Sequence, residues 1–404
     1  MAWKYYHTVW VIMAGGWVSL YLARMGLAPL LGLIMEEFKL SHAMAGVLFS
    51  AIFYSYGLMQ LPSGYLGDRF GRRKILILAT SLWFLFSLST AAAHTLTMLL
   101  VVRVLTGLAH GLYFGNERPT VFAFTPKDKM GQGQGISFMG LCAGLFLSVF
   151  FSGLIAEYFR NWRLVFLIFS IPSLVTSILI FKFIMEPPKS SQAEKPLTAR
   201  VAYRKAIADG NLWLMYLLGF VLLFAYWVII AWLPSIYEEI GIATITGRSL
   251  LTGILGLIGL PAMFISGLMS DKLVRKGFGR KWLIALMVFL WALLMLWIGF
   301  ALKNGASIGL VSSLFFSAAF VVFGVWPPYY ALLSEMSPGE VMGTVFGLAN
   351  FIGFLSTWIA PFLTGWIKDQ TGSFAGGLFV SSAMLIMGTI LTLALRSPHY
   401  ENKS

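Results

Sequence analysis

The chain has 404 residues, of which 58% are hydrophobic and only 11% are charged, and its formal net charge is +13. So few charged side chains cannot form the polar surface of a folded chain of this length, and the composition therefore excludes a water-soluble globular protein. Apolar stretches of about 20 residues, each long enough to cross a hydrocarbon core of about 30 Å, recur along the chain. Their number is twelve, which predicts an all-α membrane protein with twelve transmembrane helices.

The positive charge is distributed unevenly between alternate loops. If the N-terminus is cytoplasmic, the inner segments carry nineteen Lys and Arg residues and the outer segments carry six. The positive-inside rule then predicts that both termini are cytoplasmic. The expected location is the cell inner (plasma) membrane. The excess positive charge is explained by the orientation of the chain in the membrane, so no nucleic-acid partner is expected.

The first span contains Arg24 near mid-depth, one turn after Tyr21. A guanidinium at that depth costs about 2.5 to 3.5 kcal/mol on insertion scales, so it must face protein or a watery cavity. No acidic residue precedes Glu36 at the outer end of this helix. The sequence therefore predicts that the counter-ion of Arg24 comes from another helix or from a ligand.

A dense charged turn, Gly64–Lys74, lies between the second and third spans and has a partner half a chain later. The second copy contains Asp271 and Arg280, and Asp271 follows Asp68 by 203 positions. This spacing indicates two structurally repeated halves. The predicted organisation is a six-helix bundle at 1–186, a cytoplasmic linker at 187–210, a second six-helix bundle at 211–396 and a cytoplasmic tail at 397–404.

The fourth span carries most of the ionisable residues. Steps of seven residues return within about 20° on a helix, so three of them form one stripe: Arg103, His110 and Glu117. A row of glycines beside this stripe suits close helix packing: Gly107, Gly111 and Gly115.

The second bundle has no charged residue in any predicted membrane core. Its informative feature is the double proline within Trp326–Tyr330, which predicts an interruption of the tenth span. Lipid tolerates such a break where the freed backbone lines a cavity, so this segment is a candidate binding site.

The loop at Gly64–Lys74 resembles the Gly-x-Leu-x-Asp-Arg-x-Gly-Arg-Arg/Lys motif between helices 2 and 3 of the major facilitator superfamily. The resemblance implies two bundles that rock around a central site. It also implies a conformational latch at five positions: Gly64, Asp68, Arg72, Asp271 and Arg280. The other interpretation, a loop that only sets topology, stays open for Arg69, Arg73 and Lys74.

Shorter patches resemble the anion:cation symporter branch of that superfamily, which carries organic anions such as sugar acids. The matching positions are Arg24, Arg103 with Gly107, Pro126 sixteen residues after His110, and Trp232–Pro234. Two positions depart from the branch. Ala23 replaces the acidic residue beside the helix 1 arginine, and His110 replaces the protonatable glutamate.

The ionisable residues predict the cargo. Arg24, Arg103 and Arg118 outnumber Glu117, so the membrane interior is net positive and a transported carboxylate is the natural complement. The predicted substrate-binding residues are Tyr21, Arg24, Arg103, Asn116, Tyr226, Trp227, Tyr329, Tyr330 and Asn350. His110 and Glu117 are the predicted proton-coupling residues, although Glu117 or Asp128 could instead pair with Arg72.

The sequence thus predicts a monomeric secondary transporter that imports a small organic anion with protons, or with Na⁺. The alternative is a proton-coupled efflux antiporter of drugs or metabolites, whose Gly-Pro hallmark on helix 5 is absent between Gly140 and Gly153. Short loops and the lack of metal-ligand spacing argue against an enzyme, a metal site and any cofactor. A membrane sensor would need an appended signalling domain, and the sequence predicts none.

Overall fold

The computed structural model describes residues 3–126, 130–187, 199–337 and 341–396, which form fifteen α-helices and one 3-10 turn. In chain order these elements are α1 (Tyr5–Met25), the 3-10 turn (Ala28–Leu30), α2 (Leu31–Phe38), α3 (His42–Phe70), α4 (Arg72–Ala91), α5 (Leu96–Phe124), α6 (Met130–Phe159), α7 (Trp162–Phe183), α8 (Ala199–Ala208), α9 (Gly210–Glu239), α10 (Ile245–Arg275), α11 (Arg280–Lys303), α12 (Ile308–Gly324), α13 (Trp326–Met336), α14 (Met342–Thr371) and α15 (Ala375–Ala394).

Twelve segments of the described residues are long and apolar enough to cross a membrane. The predicted all-α fold with twelve spans is therefore confirmed. Two of the spans consist of more than one helix. Tyr5–Phe38 comprises α1, the 3-10 turn and α2, and Ile308–Met336 comprises α12 and α13. The interruption predicted at the double proline is present, since α13 begins at Trp326.

The chain divides into two compact units. Unit 1 comprises Met1–Leu40, Val47–Gln192 and Ile242–Gly256, and unit 2 comprises Ser41–Gly46, Ala193–Gly241 and Leu257–Ser404. The first turn of α3 belongs to unit 2 because Asp369 accepts hydrogen bonds from the backbone N–H groups of His42 and Ala43, at 3.0 and 2.8 Å. The start of α10 belongs to unit 1, where Glu157 accepts a hydrogen bond of 2.6 Å from the Thr246 N–H. The domain boundaries at 186 and 211 stay a prediction.

Glycines set the helix packing of unit 1. On α5, Gly107 and Gly115 face α3, and a methyl group at these positions would overlap the carbonyl oxygen of Ile52 and the hydroxyl of Ser63. On α6, a methyl group at Gly140 would overlap the backbone of α1 in the same way. The helices therefore approach each other through backbone atoms, which is the contact predicted for the glycine row on the fourth span.

We expect Gly107→Ala to destabilise the folded protein by about 1–3 kcal/mol, because the added methyl group forces α5 away from α3. Thermal unfolding in detergent measures the loss. The matched control is Gly57→Ala on α3, where nothing lies within 4 Å of the new Cβ. Equal melting temperatures for the two variants would contradict the packing described here.

The predicted linker at 187–210 contains α8, and residues 188–198 within it lie outside the described part of the chain. The end of α8 is tied to the start of α9. Trp213 donates to the carbonyl oxygen of Ile207 at 2.8 Å, and the Tyr216 hydroxyl donates to the carbonyl oxygen of Ala206 at 3.1 Å.

Candidate functional site

Arg24 lies at a break in the first span. α1 ends at Met25, one residue after Arg24, and the chain continues through Gly26 into a 3-10 turn that contains Pro29. Proline has no N–H group and cannot continue an α-helical hydrogen-bond ladder. The sequence predicts one continuous helix for this span, and the break corrects that expectation. It places the arginine beside interrupted backbone, a feature that lipid tolerates only inside protein or next to a cavity.

Aromatic rings surround the Arg24 guanidinium. Its central carbon lies 4.2 Å from the ring centroid of Tyr56, 5.4 Å from that of Phe53 and 5.8 Å from that of Tyr21. Tyr21, one of the predicted binding residues, is thus beside Arg24. Tyr56 and Phe53 lie on α3 and were missed as site residues, since no spacing within α1 or α3 reveals which faces meet.

The charge of Arg24 has no anionic partner among the described residues. The side chain is 3% exposed, and its Nε and Nη2 atoms lack a hydrogen-bond partner there. Cation–π contacts contribute about 0.5–2 kcal/mol, which does not replace the hydration of a buried guanidinium. The surroundings of Arg24 therefore suit an incoming anion.

Arg103 faces the backbone of α1. Its Nη1 donates to the carbonyl oxygen of Ala23 at 3.1 Å and its Nη2 to that of Arg24 at 3.5 Å. The side chain is 1% exposed, and its Nε atom has no hydrogen-bond partner in the described part of the chain. Arg103 therefore holds the last turn of α1, and its positive charge is not neutralised by a carboxylate there.

His110 is fully buried one heptad further along α5. Its ring lies edge-on to Trp83, with 5.1 Å between centroids, and neither ring nitrogen has a hydrogen-bond partner among the described residues. Both Arg24 and Arg103 are within electrostatic reach of the imidazole. A proton on His110 would therefore add a third positive charge to an apolar region that already holds two.

Glu117 is also fully buried, on the same face of α5. The Ser137 hydroxyl of α6 donates to its Oε1 atom, and Arg118 Nε lies 3.4 Å from Oε2. Ser137 was missed, because nothing in the sequence links it to a residue twenty positions earlier. Glu117 thus bonds Ser137 and Arg118, while Arg72 donates to the carbonyl oxygen of Gly115 at 3.1 Å. Asp128, the other predicted partner of Arg72, lies outside the described residues.

Asn116 ties two helices of unit 1 together. Its Nδ2 atom donates to the carbonyl oxygens of Ser63 on α3 at 3.0 Å and Leu112 on α5 at 2.8 Å. The residue is fully buried, and its Oδ1 atom has no hydrogen-bond partner in the described chain.

In unit 2 the predicted binding residues form two pairs, and Tyr329 lies apart from both. The rings of Tyr226 and Trp227 contact each other edge-on at 5.0 Å between centroids, and both residues are buried. Tyr330 donates its hydroxyl to Asn350 Oδ1 at 3.2 Å, and both residues are partly exposed. Tyr329 instead points into the helix packing, where its hydroxyl donates to the carbonyl oxygen of Met215 at 3.0 Å.

The first charged loop is fixed by a residue that sequence analysis missed. Glu186, just after α7, accepts hydrogen bonds from the backbone N–H groups of Arg72 at 2.7 Å and Arg73 at 3.2 Å. A carboxylate at a helix N-terminus satisfies unpaired N–H groups and complements the helix dipole. Gly64 has open space where a side chain would project, and the Asp68 side chain lies outside the described part.

In the second charged loop Asp271 and Arg280 lie next to each other, and their role as a conformational latch stays a prediction. Arg280 Nη1 lies 2.8 Å from Asp271 Oδ1 and 2.6 Å from the Ser270 hydroxyl, and Arg280 Nε lies 2.8 Å from Glu335 Oε1. Glu335 ends α13 and was not predicted. One guanidinium therefore ties the end of α10 to α13 within unit 2.

We expect Arg280→Gln to lower the free energy of unfolding by about 1 kcal/mol, since the two carboxylates lose their shared cation in a partly solvated setting. Thermal unfolding at low and high salt measures the effect, which should shrink as salt screens the pair. Arg275→Gln, at an exposed position on the same loop, is the control. An equal loss in both variants would show that the ion pairs do not stabilise the loop.

The described residues contain twelve candidate membrane spans, and one of the two compact units has a buried cationic centre. These are features of a multi-pass membrane transporter. The sequence matches the profile of the Major Facilitator Superfamily over residues 13–361, and the chain belongs to this superfamily. It is a transporter, as predicted, and not an enzyme.

Two relatives of this chain are named as transporters of sugar acids. The chain is 28% identical to the hexuronate transporter of Bacillus subtilis, over 94% of this chain and 92% of that one. It is 25% identical to the D-galactonate transporter of Escherichia coli, again over 94% and 92%. The resemblance to the organic-anion branch is therefore confirmed.

A solved structure of a bacterial homologue of the human lysosomal transporter Spinster, in an inward-facing and unoccupied conformation, superposes with a TM-score of 0.83. The match covers 97% of each chain at 16% sequence identity, so the likeness concerns the fold alone.

Proposed function

We propose that this protein imports a small organic anion, a carboxylate such as a sugar acid, together with protons by alternating access. The observation that carries the proposal is the buried guanidinium of Arg24, which has no anionic partner among the described residues. The names of the hexuronate and D-galactonate transporters, both relatives over most of the chain, support a sugar acid as the cargo.

Charge complementarity explains why a carboxylate would bind at Arg24. A carboxylate about 4 Å from one guanidinium gains about 4 kcal/mol at an effective dielectric constant of 20. The planar fork of arginine also matches the two oxygens of a carboxylate. The rings of Tyr21 and Tyr56 lie beside the same guanidinium, and tyrosine side chains suit the hydroxyl groups of a sugar acid.

Unit 2 contains further residues that the sequence predicts to bind substrate. Tyr330 on α13, just after the interruption that follows α12, and Asn350 on α14 are partly exposed and are joined by a hydrogen bond. Tyr226 and Trp227 are the aromatic candidates on α9. We assign them to substrate contact as part of the same proposal.

Coupling to protons is assigned to the stripe on α5. Glu117 is a buried carboxylate that can exist with or without a proton, and its neighbours Ser137 and Arg118 stabilise the charged form. His110 is the second candidate. The proposal also includes cytoplasmic termini, location in the inner (plasma) membrane and function as a monomer, with Na⁺ as the alternative coupling ion.

Uptake into proteoliposomes tests this proposal. Purified full-length protein is reconstituted, and uptake of radiolabelled D-galactonate and D-glucuronate is measured with and without an inward acid gradient. Neutral D-galactose and protein-free liposomes are the controls. We expect gradient-stimulated uptake of at least one acid and none of the neutral sugar. Uptake of neither acid, or equal uptake of the neutral sugar, would overturn the proposal, and uptake independent of the gradient would remove its proton coupling.

A further inference from the structure

The end of α1 leaves the backbone carbonyl group of Ala23 without its helical partner. In a continuous helix, the carbonyl oxygens of Ala23 and Arg24 would accept from the N–H groups of residues 27 and 28. Here the last bond of α1 runs from the Gly26 N–H to the Leu22 carbonyl, and the Leu30 N–H donates to the Leu27 carbonyl in the 3-10 turn. The Leu27 N–H does not donate to the Ala23 carbonyl, so Ala23 lacks its helical donor among the described residues.

Arg103 supplies the missing donor of Ala23 and also reaches the neighbouring carbonyl of Arg24. Its two terminal nitrogens reach the two carbonyl oxygens from α5, at 3.1 Å for Ala23 and 3.5 Å for Arg24. Ala23 has no polar side chain, so its backbone is the only acceptor it offers. Buried carbonyl groups require such donors, and a guanidinium can serve two acceptors at once in a fixed geometry.

The direction of the side chain separates Arg103 from Arg24. Arg103 is 1% exposed, and both of its terminal nitrogens donate to backbone carbonyl groups at the break in α1. In Arg24, by contrast, the Nε and Nη2 atoms have no hydrogen-bond partner among the described residues. One of the carbonyl groups that Arg103 holds belongs to Arg24 itself. Any movement of Arg103 is therefore transmitted directly to the backbone that carries the Arg24 side chain.

We propose that Arg103 is a positioning residue, which fixes the interrupted end of α1 and so aims the Arg24 guanidinium at the substrate, while Arg24 alone makes the charged contact. This inference rests on the proposed function for the identity of the substrate. The geometry of Arg24 in the substrate-free protein does not depend on that identity, so the two can fail separately.

The test uses a spectroscopic reporter beside Arg24. Tyr56 faces the Arg24 guanidinium at 4.2 Å, so 3-fluorotyrosine incorporated at position 56 gives a ¹⁹F resonance that responds to the nearby charge. In the substrate-free protein, Arg24→Met and Arg103→Met should each shift this resonance. In the Arg24→Met background, Arg103→Met should add no further shift, because its effect passes through Arg24.

Uptake of D-galactonate or D-glucuronate provides the second readout. We expect Arg103→Met to lower uptake at least about tenfold, since small displacements of a binding group cause losses of this size or more. Arg103→Lys keeps a charged donor that can reach one carbonyl and should restore both the wild-type resonance and most of the uptake. By contrast, Arg24→Lys should not restore uptake, because lysine lacks the planar fork that binds a carboxylate.

Three results overturn the inference. The first is a wild-type ¹⁹F resonance in substrate-free Arg103→Met together with a raised KM, which would make Arg103 a direct substrate contact. The second is a further shift on adding Arg103→Met to Arg24→Met. The third is an Arg103→Lys variant that folds, judged by thermal unfolding, but behaves like Arg103→Met in both readouts. If wild-type protein takes up neither acid, the proposed function fails. The ¹⁹F resonances of the two single variants and the double variant still decide the role of Arg103.

Discussion

Replacing Arg24 with methionine is expected to abolish uptake of organic anions and, at the same time, to make the substrate-free protein more stable. The lost attraction of about 4 kcal/mol corresponds to about a thousandfold in affinity, which removes uptake at any practical concentration. The gain in stability follows because a buried cation without an anionic partner among the described residues disappears. On insertion scales such a charge costs about 2.5 to 3.5 kcal/mol, so we expect about 1–3 kcal/mol of stabilisation.

Uptake in proteoliposomes and thermal unfolding in detergent measure the two effects of Arg24→Met. Added D-galactonate or D-glucuronate should raise the melting temperature of the wild-type protein and leave that of the variant unchanged. Arg204→Met, at an exposed position on α8, is the control that should change neither property. A variant that still accumulates the acid, or one that is less stable without it, would contradict the role given to Arg24.

The second large effect is expected for Glu117→Gln, which keeps the shape of the side chain but cannot release a proton. At zero membrane potential, one pH unit supports about tenfold accumulation for each coupled proton, because it corresponds to 1.36 kcal/mol. We expect the variant to lose this accumulation, so that its final ratio falls to about one, while exchange of labelled for unlabelled acid continues. Accumulation with the potential clamped, and exchange at equal pH, are the two measurements.

His110→Gln is the matched comparison for Glu117→Gln on the same helix face. A proton on His110 would join two nearby arginines in a buried region, whereas a proton on Glu117 neutralises a charge. The smaller effect on accumulation is therefore expected at His110. Full gradient-driven accumulation by Glu117→Gln, combined with its loss in His110→Gln, would transfer the coupling role to the histidine.

The membrane fold was predictable because it depends on local properties of the chain. The length and apolarity of each span are set within about 20 residues, and the twelve spans were recognised from them. The stripe of Arg103, His110 and Glu117 was likewise predictable, since helical periodicity alone determines that they share a face. All three are buried on α5.

The partners of these residues were not predictable. Ser137 beside Glu117, Glu186 at the start of α4, and Glu335 beside Arg280 all lie on segments far from their partners in sequence. Such pairs depend on how deep each helix lies and how it is rotated against its neighbour. Close approaches at glycines such as Gly107 and Gly140 set that register only after the helices have packed.

The sequence by itself determined that buried positive charge exceeds negative charge in the first bundle, and hence that an anion would complement it. Only the tertiary structure decided how the two arginines differ. At the break that ends α1, Arg103 donates to the Ala23 carbonyl, while the Arg24 side chain lies against aromatic rings with two nitrogens unpartnered among the described residues. Net charge is a sum over residues and can be counted along the chain, whereas a hydrogen bond requires two groups within about 3 Å, which only folding brings together.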